Sequence, residues 1–211
     1  MKMLDLFAGT RSMSKAFEQL GYETFSIDID KSHENIDWYT DILNVTAQDI
    51  LDRFGKPDVI WASPPCTTYS IAGISHHRTK NYETGELEAK SEYAKLSDKL
   101  VQHVLSLIDE LQPKYWFIEN PRGGLRKMLF MQGYPMYTVT YCQYGENRQK
   151  PTDIWTNHPN PKFKPPCKQG MPCHEYTPSG SKKGTQGLRN AKIRSIIPHE
   201  LCLHIAEICK L

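Results

Sequence analysis

The chain has 211 residues, of which 39% are hydrophobic, 24% charged and 10% aromatic. At roughly 100 to 200 residues per domain this is one compact domain or one with a small appendage, and the composition excludes a disordered chain. No apolar run approaches the roughly 20 residues of a spanning helix, and Asp5 interrupts the start before a signal-peptide core forms, so no membrane partner and a cytoplasmic location are expected. The formal net charge of +2 conceals a split: residues 1–112 carry 11 Lys+Arg against 18 Asp+Glu, and residues 113–211 carry 15 against 6. Such a split suits a polyanion against the basic half, although a solvated face produces the same pattern. The cysteines at 66, 142, 167, 173, 202 and 209 are too sparse for a disulfide scaffold.

Residues 2–8 read as a short buried strand, followed after Gly9 by a helical pattern in Met13, Ala16, Phe17 and Leu20 that stops at Gly21. Strands are expected at 23–29 and 58–62, the second ending on Pro64-Pro65. From Ser91 to Leu111 the residues Leu96, Leu100, Val104, Leu107, Ile108 and Leu111 recur at helical spacing, and Pro113 ends the run. Further strands are expected at 115–119, 137–141 and 153–156. Residues 157–187 are rich in Pro, Gly, Lys and Cys and read as a long basic loop; residues 197–209 form an amphipathic helix with Pro198 in its first turn. Alternating strands and helices imply an α/β fold with a doubly wound, mostly parallel, Rossmann-like sheet. The expected division is a catalytic core over 1–156, a basic loop over 157–190 and a closing helix over 191–211.

In a parallel sheet, ligands sit beyond the carboxyl ends of the strands, where Gly9, Asp28, Pro64-Pro65-Cys66 and Glu119-Asn120 all fall. Gly9 with Asp28 nineteen residues later suits a nucleoside ligand, while Arg11 at a second glycine's place argues against a dinucleotide. Two prolines fix a rigid turn that holds Cys66 over the crevice as a candidate nucleophile; a lone cysteine is more often a buried structural thiol. Glu119, an acid on an apolar strand, is placed to act as a proton donor near neutral pH, with a helix-capping role as the alternative.

The ordered series Asp5-Leu-Phe-Ala-Gly9, an acid after the second strand, Pro65-Cys66-Thr-Thr-Tyr-Ser70, and Glu119-Asn120 resembles the DNA cytosine-5 methyltransferases, in particular small bacteriophage-encoded members. The resemblance covers roughly residues 3–155. It implies S-adenosylmethionine as methyl donor, Cys66 attacking cytosine C6, Glu119 at N3, and Arg148 holding the base with Lys150 as a second basic group. It also implies a donor pocket from Phe7, Ala8, Gly9, Asp28, Asp41 and Pro64. Arg11 and Ser12 stand where the family usually carries glycines, and Pro121 follows Glu119-Asn120 where the family has Val. A flipped-out base is implied if the substrate is duplex DNA.

Only about forty residues separate Lys150 from Arg189, where the family usually carries a recognition domain, so specificity is expected to be short, absent or supplied by a partner. Phosphate contacts are expected from Lys162, Lys164, Lys168, Lys182, Lys183 and Arg189, with Lys192 and Arg194 further along. The loop also holds His158, Cys167, Cys173 and His174; C-x5-C-H is not a standard zinc spacing, and free thiols are preferred over a metal site. Three alternatives stay open: an amino-methyltransferase, which would use Ser63-Pro64-Pro65 and no thiol; an RNA cytosine-5 enzyme; and a silent nucleic-acid-binding protein of the same fold.

Overall fold

The structure is a computed structural model that describes residues 1–168, 170–175 and 191–210. Seven strands form one sheet in the order β3-β2-β1-β4-β7-β9-β8. These are β1 (Lys2–Leu6), β2 (Glu23–Asp28), β3 (Trp38–Tyr39), β4 (Val59–Ala62), β7 (Tyr115–Pro121), β8 (Met136–Thr140) and β9 (Pro151–Thr156). The first five run parallel, while β9 pairs antiparallel with both β7 and β8. A separate two-stranded antiparallel hairpin consists of β5 (Arg78–Lys80) and β6 (Leu87–Ala89).

Six α-helices accompany the strands among the described residues: α1 (Ser12–Gln19), α2 (Ala47–Arg53), α3 (Ile74–His77), α4 (Glu92–Leu111), α5 (Ala191–Ser195) and α6 (His199–Ile208). Period-two alternation along the central strands builds two cores. Leu4, Leu6, Ile60, Ala62, Trp116 and Ile118 face the side packed by α2 and α4. Met3, Val59, Trp61 and Phe117 face the other side, packed by Met13 and Phe17 of α1 and by Leu201, Cys202 and Ile205 of α6. Asp5 and Glu119 fall in the second set by parity, under α1 and α6.

Each helix start has a local cause. Ser91 caps α4 by accepting from the Ala94 amide, and Thr46 with Asp49 makes a reciprocal capping box at α2. Arg11 at the start of α1 has φ 56 and no side-chain cap. The cap comes instead from β1, because the Asp5 carboxylate accepts from both Ser14 N and Ser14 Oγ at 3.1 and 2.6 Å.

The expected 23–29 strand ends at Asp28, and the 115–119 strand runs on to Pro121. Leu96 departs from the sequence reading: it is 42% exposed, because the buried face of α4 is carried in its first turns by the small residues Ala94 and Ser97. The order of strands reverses between β1 and β4, and the loops leaving those two strands carry Phe7–Gly9 and Ser63–Cys66.

Candidate active site

A cleft of about 640 Å³ opens at that reversal. One wall is the turn from β1 to α1, with Phe7, Ala8, Gly9 and Thr10; the other is Ser63, Pro64, Pro65 and Cys66 after β4. Glu119 from β7, Lys150 before β9, Asp5 of β1, and Arg194 and Ser195 of α5 also line it. Phe7 (φ 57) and Lys150 (φ 29) hold left-handed backbone, which is strained for residues with a side chain and concentrates where a site over-determines the chain, while Gly9 (φ 50) adopts it without that cost.

The loop bearing Cys66 is fastened on both flanks. Asn120, fully buried at the end of β7, donates from Nδ2 to Pro64 O at 3.0 Å. On the other flank Arg78 donates to Thr68 O and Thr68 Oγ1, pairs with Asp98 at 2.7 Å, and lies 4.2 Å from the Tyr69 ring centroid. Tyr69 in turn donates to Asp98 at 2.6 Å. Gly73 approaches so closely that an added Cβ would lie 2.2 Å from Thr67 O.

Burial pushes the Cys66 thiol up, and the nearby Glu119 charge adds to this; Lys150 and then Arg194 pull the other way. Burial likewise raises the Glu119 carboxyl, opposed first by Lys150 and then by the hydrogen bond from Tyr141. That bond is 3.2 Å from Tyr141 OH to Glu119 Oε1. Lys150 is lowered by desolvation and supported by Glu119 and Cys66. Its ammonium donates to Arg194 O at 2.9 Å and sits 4.4 Å from the Tyr141 ring centroid. Thiol, acid and cation therefore form one electrostatic unit.

The other candidates are distributed as follows. Arg148 is not among the cleft-lining residues and pairs with Glu146 at 2.6 Å. Asp28 accepts from Gly9 N and Asp30 N, both at 2.8 Å, so it fixes the glycine turn as well as standing beside it. Asp41 caps a short 3-10 turn through Leu43 N at 3.0 Å. Arg11 turns away to Glu18 at 2.5 Å. Lys162, Lys164 and Lys168 are exposed; Lys164 bonds Gln143 O and reaches Glu200 at 3.4 Å. Lys182, Lys183 and Arg189 lie outside the described residues. His158 is buried, 3.3 Å from Ile208 O and 4.5 Å from the Tyr115 ring.

Asp5 and Arg194 in the cleft, and Tyr141 behind Glu119, were not read as parts of the site from sequence. Asp5 carried a signal, a buried acid within an apolar strand, whereas Arg194 reaches the cleft only through the return of the C-terminal segment. Asp5's carboxyl is pushed up by burial to about 6.

The fold is that of the Rossmann-like methyltransferases. A DNA modification methyltransferase encoded within an E. coli prophage superposes with a TM-score of 0.52 at 17% identity, covering 74% of this chain and 46% of that one. A Spodoptera frugiperda DNMT2 gives 0.51 at 17% identity, covering 74% and 49%. Residues 1–128 match the family model described as C-5 cytosine-specific DNA methylase. The "Probable DNA (cytosine-5)-methyltransferase" of Frog virus 3 (isolate Goorha) is 30% identical over 232 residues, spanning 99% of this chain and all of that relative. The type II methyltransferase M.FnuDI of Fusobacterium nucleatum is 27% identical over 60% of this chain and 34% of its own length. The chain belongs to the C-5 cytosine-specific DNA methylase family.

Proposed function

We propose that the protein transfers a methyl group from S-adenosylmethionine to C5 of cytosine in DNA through a covalent Cys66 adduct at C6. The observation that carries this reading is the single cleft in which Cys66, Glu119 and Lys150 face the Phe7–Thr10 turn. The cleft's volume is in the range of small-molecule sites, and acidic Asp5 with Asp28 nearby suits a donor whose sulfonium is cationic. Phe7, Ala8, Gly9 and Pro64 would hold that donor, with Asp28 toward the ribose and Asp41 toward the adenine. When bound it supplies an electrophilic methyl group.

Cytosine C5 is a weak nucleophile until C6 is attacked. Bond formation between Cys66 Sγ and C6 moves electron density toward N3 and makes C5 enamine-like; a proton from the Glu119 carboxyl at N3 neutralises the charge that builds there. A carboxyl raised by burial holds its proton closer to neutral pH, as a donor requires. Lys150 favours the thiolate over the thiol and replaces Arg148 as the basic group facing the base. C5 then takes up the methyl group, and loss of the C5 proton lets the thiolate leave by elimination as the N3 proton returns to Glu119.

We assign Lys162, Lys164 and Lys168 to phosphate contacts, together with Lys182, Lys183 and Arg189; residues 1–156 act as the catalytic core, 157–190 as a reduced recognition segment and 191–211 as the closing helix. With so short a segment, a specificity partner or a short target site is the corollary.

The test is transfer from tritiated S-adenosylmethionine to matched DNA and RNA oligonucleotides, with 5-fluorocytosine as a trap. Fluorine at C5 blocks the elimination, so the wild-type protein should stay linked to fluorinated DNA. Cys66→Ala should give no adduct and lose roughly 10³-fold or more in rate. Methyl transfer surviving in Cys66→Ala, or transfer to RNA alone, overturns the reading.

A further inference from the structure

Away from the catalytic cleft, Cys142, Cys167, Cys173 and His174 place three sulfurs and one imidazole nitrogen within 4.8 Å of one another. Cys142 is buried on the 3-10 turn Tyr141–Tyr144 that follows β8; the other three lie on the segment after β9. Cys173 Sγ is 3.7 Å from Cys142 Sγ, and His174 Nδ1 is 3.6 Å from the sulfurs of both Cys167 and Cys173. A tetrahedral zinc with bonds of about 2.3 Å to sulfur and about 2.05 Å to nitrogen demands edges of about 3.8 and 3.6 Å. The fourth measured edge, Cys142 to Cys167, is 3.0 Å. It is far outside the roughly 2.05 Å of a disulfide, and a central ion would open it by about 0.8 Å.

We propose that Cys142, Cys167, Cys173 and His174 bind one structural zinc ion that fastens the basic segment to the catalytic core. Three thiolates and an imidazole are the donor set of closed structural zinc sites and are too soft for magnesium or calcium. Binding displaces three thiol protons and leaves a net charge of −1 on the assembled site. Amide groups stand where they would support thiolates: Gln149 Nε2 is 3.4 Å from Cys167 Sγ, and Gln143 Nε2 is 3.6 Å from Cys173 Sγ.

The segment needs such a fastening. From Lys164 to Glu175 no described residue is buried and none belongs to a helix or strand, so apolar burial does not fix its path. Beyond Lys164, described backbone ties run to the same region of the core: Cys167 N donates to Thr140 Oγ1 at 2.9 Å, and Glu175 N to Asn147 O at 2.7 Å. A small unit without its own core is commonly held by metal ligation instead. The site also braces the turn that delivers Lys150, because Gln149 Nε2 donates to Cys167 O at 3.2 Å while Gln149 O accepts from Tyr141 N at 2.9 Å. The cluster is incomplete in the C-x5-C-H stretch alone, since its fourth donor, Cys142, stands 25 residues before Cys167. His158, grouped with these residues in the sequence, is occupied elsewhere.

The test is metal content of the full chain, expressed in zinc-supplemented medium, purified untagged under reducing conditions and analysed by plasma mass spectrometry. One zinc per chain is expected, retained in Cys66→Ser and reduced at least tenfold in Cys173→Ser. His174→Ala, on the partly exposed segment, guards against a cysteine variant that fails to fold and should weaken retention against a chelator at least tenfold. Cobalt added to the stripped protein should give thiolate charge-transfer and tetrahedral d–d bands that Cys173→Ser lacks. Absence of zinc and of the cobalt bands in the folded wild-type chain, zinc retained in Cys173→Ser, or a Cys142–Cys167 disulfide in place of zinc each overturns the proposal. None of these readouts depends on methyl transfer.

Discussion

Arg78 gives the sharpest test of how the Cys66 loop is held. Its side chain is fully buried, its guanidinium is shared between Asp98, Thr68 O and Thr68 Oγ1, and Asp98 is 16% exposed. Truncation to Met keeps much of the volume and leaves the Asp98 carboxylate without its cation. Removing one partner of a buried pair costs about 3–5 kcal/mol, and the partial exposure of Asp98 places this case near the lower bound, about 3 kcal/mol. For a chain of this size each kcal/mol moves Tm by roughly 2–4 °C, so Arg78→Met should melt roughly 6–12 °C lower. The double variant Arg78→Met/Asp98→Leu removes the orphaned charge and should regain most of that loss, short by about 1 kcal/mol for the Tyr69 hydroxyl left without its acceptor. Activity should behave differently. Thr68 O lies two residues from Cys66 and loses its donor in both variants, so kcat measured at 20 °C, where all three proteins are folded, should stay depressed in the double variant. Thermal melts and urea titrations give the stability series, and steady-state methyl transfer gives the second. A single variant within 2 °C of the parent, or a double variant no more stable than the single, refutes the reasoning.

Gly73→Ala puts a methyl 2.2 Å from Thr67 O, beside Cys66, and should lower kcat/KM at least tenfold; a rate equal to wild type in steady-state assays would show that the loop yields freely. Asp5 has a folded carboxyl raised to about 6 from 3.8, so its contribution to stability is complete below pH 3.8 and is lost as pH rises through 6. Asp5→Asn keeps an acceptor for Ser14, and in urea titrations its stability relative to wild type should improve by roughly 2–3 kcal/mol between pH 4 and 7.5; a gap independent of pH sinks the argument. Lys150→Met removes the charge that most lowers the Cys66 thiol, so the alkaline rise of the adduct-forming rate should move to higher pH in single-turnover experiments with the fluorinated trap. An unshifted limb would mean that the ammonium acts on the base alone.

The central strands were legible because burial on both faces writes them as near-continuous apolar runs, and α4 and α6 because their apolar residues recur at helical spacing. The elements that carry no apolar pattern were not. β3 is two residues long, and the β5–β6 hairpin consists of Arg-Thr-Lys and Leu-Glu-Ala, anchored by the buried Arg78 and by Leu87 packed against the core, too few apolar positions to write a strand pattern. Leu96 misled because helical spacing fixes a face only up to rotation; the small Ala94 and Ser97, silent in a hydropathy pattern, turn α4 so that Leu96 points outward. In the cleft, Pro64-Pro65-Cys66 and Glu119 could be placed from chain order, since each follows or ends a strand. Arg148 and Lys150 lie in the irregular chain before β9, where no periodicity fixes side-chain direction, and the left-handed backbone of Lys150 (φ 29) is not written in a hydropathy pattern.

The charge split between the halves of the chain gains a different meaning from the cleft. A basic half opposite an acidic one first suggests phosphate contacts, and the exposed Lys162, Lys164 and Lys168 fit that use. Two cations of the same half do something else. Lys150 is buried and Arg194 lines the cleft, and both pull the Cys66 thiol down against the burial and the Glu119 charge that push it up. Burial raises the Glu119 carboxyl and the Cys66 thiol alike, and in both the Lys150 charge is the first opposing influence. The antiparallel strand β9 and the short helix α5 deliver those cations, so the sheet's departure from parallel order and the return of the C-terminal segment belong to the chemistry as much as to the packing.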